Sequence, residues 1–173
     1  MKEYSFLPIN NGLIAKCHAL NEKNVPNVGS RTLEGLSNSI KNSDYNESIV
    51  LGNTVIGFVV CFQDNKQTKS YMNAVKHKNF KEISSRVKNF LYIDRIAIDY
   101  QYRNIKLGSN LYKNILIFAK HNSLQYLTAE INLLPFVNKT SFKFHESFGF
   151  QEFETVKYSE DYEVSLQKLL INS

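Results

Sequence analysis

The chain has 173 residues, of which 43% are hydrophobic and 21% charged, with a formal net charge of +5. Length and balance fit one globular domain, residues 1–173, able to bury a core of its own. Two cysteines exclude a disulfide framework, and the longest apolar run, VIGFVVCF at 55–62, is far too short to cross a bilayer. MKEYSFLPIN turns acidic by its third residue and reads as no leader, so a reduced, cytoplasmic protein without membrane association is expected.

The positive charge is uneven. Residues 66–143 carry 14 Lys and Arg against 4 Asp and Glu, whereas 144–173 carry 2 against 6. A basic middle suits an anionic ligand. Nucleic acid is disfavoured, because the chain holds 17 Lys but only 4 Arg, and arginine grips phosphates and base edges bidentately. The 20 Asn point as readily to a general bias toward Lys and Asn.

In chain order, residues 3–9 read as a strand. Residues 11–21 read as a helix with Leu13, Cys17 and Leu20 on one face. NVPNVG at 24–29 breaks it, and Ser30 is the expected cap of a second helix bearing Leu33, Leu36 and Ile40. SIVLGNTVIGFVVCF at 48–62 predicts a hairpin around Gly52-Asn53. Residues 63–89 are polar and basic, a long loop that is functional or partly helical. FLYIDRIAID at 90–99 is a strand, 104–120 a helix, and 124–134 a strand ended by Pro135. A short helix at 139–148 closes at Gly149, and the last segments form a hairpin. Strand–helix–strand in the middle implies a parallel pair, and the flanking hairpins make the sheet mixed.

The stretch YQYRNIKLGSNLY, at 100–112, joins that strand to its helix. A helix N-terminus presents unpaired N–H groups and partial positive charge, and Arg103, Lys106, Gly108 and Ser109 add cations, close approach and a hydroxyl. Alone, this is also what any basic loop before a helix looks like.

Its company is more specific. Arg103-Asn104-Ile105-Lys106-Leu107-Gly108 matches the spacing of a phosphate loop that follows a strand, here IAI at 96–98, and NKTSFKFHESFGF follows at 138–150. In these motifs, their order and their spacing the chain resembles the GNAT N-acetyltransferases, the large acetyl-CoA-dependent family, over nearly its whole length. The resemblance implies an α+β, three-layer α/β/α fold with a mixed, mostly antiparallel sheet of six to seven strands and a central splayed parallel pair. It implies acetyl transfer from acetyl-CoA to a primary amine. A small-molecule amine is the expected acceptor, a homodimer stays open, and an acetyl-CoA-binding sensor without turnover is the alternative.

The resemblance also implies site residues. Backbone groups of Ile96, Ala97 and Ile98 hold the cofactor arm, and Arg103, Asn104, Ile105, Lys106, Leu107, Gly108 and Ser109 hold the pyrophosphate. Asn138 contacts the arm, caps its helix, or does both. Two positions depart from the family pattern. Lys106 stands where the loop has its first glycine, and His145 where the family usually has tyrosine. If the Lys106 position needs φ > 0, lysine is strained there.

Amine acetylation also needs a proton acceptor, since an alkylamine is mostly protonated near neutral pH. Glu130 is one candidate, with a structural partnership to Arg95 as its rival. Asp94 is another, with a salt bridge as the alternative. Asn132 shares the Glu130 face and is a substrate contact. His145 is either an acid for the leaving thiolate or a packed histidine. Tyr71 and Phe80 of the 63–89 segment are expected to line the acceptor pocket. Phe144 and Phe148 read as core, as do Cys17 and Cys61. Neither the cysteines nor His18, His77 and His121 show metal-ligand spacing.

Overall fold

The computed structural model describes residues 3–171. They form seven strands and six helices. These are β1 (Tyr4–Leu7), α1 (Asn11–Lys23), α2 (Leu33–Asn42), β2 (Tyr45–Leu51), β3 (Thr54–Gln63), α3 (Lys66–Ala74) and α4 (Lys78–Arg86). They continue with β4 (Phe90–Ile98), a 3-10 turn (Tyr100–Tyr102), α5 (Leu107–His121), β5 (Tyr126–Leu134), α6 (Lys139–Ser147), β6 (Gln151–Ser159) and β7 (Tyr162–Leu170). The α+β class and the mixed, seven-stranded sheet are as expected.

Two compact units divide the chain. One comprises residues 1–62 and 93–118, the other 63–92 and 119–173. In the first, strands follow the order β1-β2-β3-β4. The hairpin β2–β3 turns through Gly52 at φ 58, a left-handed conformation that glycine adopts without steric cost. β3 is buried from Val55 to Phe62, as a strand covered on both faces must be, which explains its unbroken apolar run. α2 starts at Thr32, whose Oγ1 accepts the Gly35 N–H at 3.0 Å. Ser30, the expected cap, instead donates to Glu22 Oε2 at 2.7 Å. Two Ser/Thr hydroxyls lie within reach of that helix start, and composition alone does not rank them.

The second unit orders its strands β4-β5-β7-β6. β4 and β5 are parallel, with Phe90 opposite Tyr126, Leu91 opposite Leu127 and Tyr92 opposite Thr128; β4 runs on for six more residues to Ile98. β5–β7 and β6–β7 are antiparallel. The segment 63–89, expected as a long loop that is functional or partly helical, holds two nine-residue helices. Asn65 caps α3 by accepting from Thr68 N at 2.8 Å, and His77 caps α4 by accepting from Phe80 N through Nδ1 at 3.2 Å. Phe80 is 2% exposed and meets the rings of Phe90 at 5.7 Å and Tyr92 at 5.8 Å. Its expected place on a pocket wall is therefore corrected: it is the core anchor that seats α4 on the sheet.

Gly57 marks the tightest point beside the end of β4. A Cβ there would stand 2.7 Å from Ile98 Cδ1 and 2.9 Å from Ile49 Cδ1. Both side chains would have to move inside a packed core. Gly57→Ala should therefore destabilise by roughly 1–3 kcal/mol, read as a drop in denaturant midpoint with unchanged m-value; an unchanged midpoint would show the contact to be slack.

Candidate active site

In the first unit, β4 hands the chain to the 3-10 turn, which Asp99 starts by accepting the Gln101 N–H at 3.0 Å. The backbone then alternates. Arg103 has φ −74, Asn104 φ 64 and Lys106 φ 65. Alternation of negative and left-handed φ turns successive N–H groups toward one side and makes a concave anion nest. Asparagine tolerates the left-handed region with little penalty; lysine does not. The steric cost anticipated at Lys106 is thus present, and the turn adopts the conformation regardless.

Lys106 is also the residue ahead of the first turn of α5, since its carbonyl accepts the Asn110 N–H at 3.0 Å. The other five helices are capped by an accepting side chain, from Asn10, Thr32, Asn65, His77 and Asn138. A lysine ammonium has donors only. The N–H groups of Leu107, Gly108 and Ser109, with the positive end of a 15-residue helix behind them, therefore look for oxygen from outside. A pyrophosphate fits this donor set.

Arg103 is used differently from a freely reaching phosphate ligand. Its Nε donates to the Ile98 carbonyl at 3.3 Å and its Nη2 to Asn24 Oδ1 at 2.7 Å. It braces the cradle against the end of β4 and the turn after α1. Ile96 and Ile98 are half-buried and Ala97 is buried at 4% exposure. Asp94 lies 2.9 Å from the Arg95 Nε, and both side chains are nearly fully buried. Arg95 also donates to Asn21 Oδ1 and to the Gly29 carbonyl. These three partners come from the first unit, and the salt bridge anticipated for Asp94 forms with its own neighbour.

The remaining expected residues lie in the second unit. Glu130 and Asn132 alternate along β5 on one face, both half-buried. Asn138 caps α6 with its Oδ1, which accepts from Ser141 N at 3.1 Å, and its own N–H donates to the Asn132 carbonyl at 3.1 Å. The cap engages the oxygen and leaves Nδ2 as a donor. His145 is 3% exposed, edge-on to Phe150 at 4.9 Å, with Nδ1 2.8 Å from the Ser141 carbonyl. A carbonyl only accepts, so Nδ1 carries the proton. Burial lowers the pKa of the ring and keeps it neutral, which makes Nε2 an acceptor. This is the tautomer of a base or packing group; it holds no proton at Nε2 to give a thiolate.

Tyr71 is half-buried on α3. Cys17 and Cys61 are fully buried core thiols; burial pushes Cys17 up to about 12 and raises Cys61 likewise, which keeps both protonated and unreactive. Among the described residues no group of three metal-ligating side chains forms, and no helix is long and apolar enough to cross a membrane. Three residues that the sequence did not single out are Thr128, Tyr158 and Asn79. Each holds a buried polar atom without a hydrogen-bond partner among the described residues. Thr128 had a signal, since it alternates with Glu130 along the strand; the other two carry none that sequence displays.

Two outcomes follow. Lys106→Gly removes a left-handed lysine and leaves every N–H of the nest in place, so it should stabilise the fold by about 0.5–1 kcal/mol, seen in thermal unfolding. A lower Tm would mean the Lys106 side chain makes a contact worth more than the strain. For His145, the unfolded chain takes up a proton near its ordinary pKa of 6.5 while the folded chain resists. Its contribution is therefore present above about pH 6.5 and is lost as pH falls toward the depressed folded value. His145→Gln should show a shallower loss of stability than wild type over that acid limb, in denaturant titrations at stepped pH. Equal slopes would mean the ring titrates normally.

No curated protein matches the chain in sequence. Solved structures match it in fold. Ard1 from Thermoplasma volcanium is 12% identical, with a TM-score of 0.76 over 98% of this chain and 99% of that one. A chain of the NatC complex bound to Gag peptide and CoA is 15% identical, with a TM-score of 0.74 over 98% and 99%. An agmatine N-acetyltransferase is 11% identical, with a TM-score of 0.71 over 96% and 99%. The model of the acetyltransferase (GNAT) family matches residues 28–150, which span both the cradle and the α6 motif. The chain belongs to that family, and by this membership it is an N-acetyltransferase with acetyl-CoA as co-substrate.

Proposed function

We propose that the enzyme acetylates the primary amine of a small molecule, with Glu130 as the group that takes the amine's proton. The observation that carries this reading is that α4 packs on the sheet face that bears Glu130. β5 pairs with β4 through Thr128 and Tyr92, and the Tyr92 ring lies against His77 and Phe80 at the start of α4. A helix laid over the sheet face that bears Glu130 narrows access for an extended peptide and suits a compact acceptor. The structural relatives do not decide this, since one is bound to a peptide and another is named for agmatine.

The roles divide by chemistry. The nest at Arg103–Ser109 and the N-terminus of α5 bind the pyrophosphate of acetyl-CoA, which supplies the thioester. The backbone of Ile96–Ile98 and the Asn138 Nδ2 orient the arm. A carboxylate on the acceptor face can take the amine's proton, which is the role assigned to Glu130. Asn132, two residues on along the same face, and Tyr71 on α3 are contacts for the rest of the acceptor. Asp94 is held to Arg95 and serves as its counterion.

Acetyl-CoA at a hundredfold excess over its Kd should add about 2.7 kcal/mol, roughly 5–10 °C in Tm for a domain of this size, with no comparable shift from ATP. Glu130→Gln should keep that shift and lower kcat/KM for thiol release by ~10²-fold or more. Small primary amines should give higher kcat/KM than peptides with free N-termini; the reverse ranking would sink the small-molecule reading.

A further inference from the structure

The nest lies on the surface, so packing does not hold its shape. Arg103, Asn104, Ile105 and Lys106 are all exposed, and Asn104 and Lys106 keep left-handed φ of 64 and 65. Such backbone persists only where its surroundings fix it. At the helix end, the Lys106 carbonyl is fixed by the Asn110 N–H at 3.0 Å. At the strand end the backbone does little, since the Arg103 N–H reaches the Tyr100 carbonyl only at 3.5 Å. The Arg103 side chain does more. Its Nε donates to the Ile98 carbonyl at 3.3 Å and its Nη2 to Asn24 Oδ1 at 2.7 Å, the length of a charge-assisted bond.

Asn24 is 7% exposed and closes α1. Its backbone N–H donates to the Asn21 carbonyl at 2.9 Å, and its carbonyl accepts the Val28 N–H at 3.3 Å. Its Nδ2 donates to the Leu20 carbonyl at 2.9 Å, which leaves Oδ1 for Arg103. A carboxamide has one donor end and one acceptor end. The Leu20 carbonyl takes the donor end, so the acceptor end must face the guanidinium. The opposite orientation would set donor against donor on one side and oxygen against oxygen on the other.

The turn that Asn24 begins is itself anchored. Arg95 holds Asn21 Oδ1 at 2.7 Å and the Gly29 carbonyl at 3.2 Å, one on each side of it. Glu22 accepts from Ser30 Oγ at 2.7 Å and from the Arg31 N–H at 3.1 Å. The Arg103–Asn24 bond therefore ties an exposed, strained loop to a buried, fixed point within the same unit.

We propose that Asn24 is a positioning residue for acetyl-CoA: through Arg103 it holds the first residue of the nest where the N–H groups that follow converge on the pyrophosphate, and the Arg103 side chain contributes aim instead of charge. This rests on the cradle reading given under the proposed function. The role is specific to a guanidinium. A lysine at position 103 keeps the positive charge, but its single nitrogen lacks the rigid fork that meets Ile98 and Asn24 together. The coupling also runs backwards. If the turn supports the cofactor, the cofactor must steady the turn.

Calorimetric titration of acetyl-CoA into the full chain tests this without turnover. Asn24→Ala should weaken binding by roughly 10-fold, within the usual range for coupled sites. Arg103→Lys should weaken it about as much, although the charge is kept. The double variant should bind no worse than either single one, because both remove the same link. Position 103 is exposed, so Arg103→Lys carries the test even where Asn24→Ala fails to fold. A residue that only caps α1 would lower the Tm of Asn24→Ala and leave its Kd at the wild-type value, and that result overturns the proposal. Wild-type affinity in Arg103→Lys overturns it too, as do additive losses in the double variant. In hydrogen exchange, acetyl-CoA should slow the Val28 amide in wild type and do so less in Arg103→Lys; equal slowing in both would disconnect the turn from the nest and end the proposal. If wild type binds and only the variants are indifferent, the role of Asn24 falls alone. If wild type shows no binding, the cradle reading falls and this inference falls with it.

Discussion

Arg95 carries a permanent charge at 6% exposure, and the first unit is arranged around satisfying it. Asp94 neutralises it at 2.9 Å, the Asn21 Oδ1 takes an Nη1 proton at 2.7 Å, and the Gly29 carbonyl accepts at 3.2 Å. A buried guanidinium that lost one of these would be left with desolvated charge, a penalty of several kcal/mol. The partners belong to β4, to α1 and to the turn after it, so the requirement fixes that turn against β4. Glu22 extends the frame. It accepts from Ser30 Oγ, from the Arg31 N–H and from Asn21 Nδ2, which hold its carboxyl down at about 2. Asn24, in the same turn, receives Arg103. The first residue of the anion nest is thereby referenced to the frame that Arg95 imposes, and the nest keeps its shape through side chains that never need to touch an anion.

The second unit treats polar groups in the opposite way. Around Arg95 the side-chain and carbonyl partners hold the charge; in the second unit Thr128 Oγ1, Asn79 Oδ1 and the Tyr158 hydroxyl are buried without hydrogen-bond partners among the described residues. Local rules of satisfaction tend to be broken where a ligand completes the structure. The strained Lys106 fits the same logic from the backbone side. A left-handed lysine persists because the chain must turn there to aim N–H groups, and the helix behind it lacks a capping oxygen for the same purpose. Left-handed backbone also occurs outside the motifs, at Lys76, Asn89 and Ser123, so what sets Lys106 apart is its place ahead of a helix with no capping side chain.

Much of this was legible in the sequence, and the exceptions have physical causes. The apolar run at 55–62 and the Gly52-Asn53 turn gave the β2–β3 hairpin and its turn, with β2 starting three residues earlier than expected, because periodicity and a left-handed glycine are strictly local signals. α3 and α4 fall in a segment expected as a long loop, functional or partly helical, without helix bounds. Each is nine residues long, with only two or three buried positions, such as Thr68 and Met72 or Phe80 and Ile83, and so shows little periodicity against a lysine-rich background. Their caps, Asn65 and His77, were present but are weak without an apolar stripe to follow. The same blind spot moved Phe80 from core to pocket wall. Glu130 and Asn138 were reachable through motif and alternation. Tyr158 and Asn79 were not, since what distinguishes them is a missing partner, and that is a property of packing alone.

His145 shows how far a motif position carries a role. In the family pattern a tyrosine there has a hydroxyl proton to offer the departing thiolate. The imidazole fills the place but points its only proton at the Ser141 carbonyl, and burial against Phe150 keeps the ring from taking a second. A proton source at this position is nevertheless the least demanding part of the chemistry. An ordinary thiol has a pKa near 8.5, so its thiolate is a stable leaving group close to neutral pH and can be protonated by solvent after it departs. The amine lies on the other side of neutrality, with a pKa near 10.4 for a lysine-like alkylamine, and it cannot attack while protonated. Of the two proton transfers, the one at the amine therefore controls whether the reaction runs near neutral pH. With Glu130 as the proposed acceptor of that proton, a chain with histidine at the tyrosine position has more to lose from a change in the carboxylate than from a change in the imidazole.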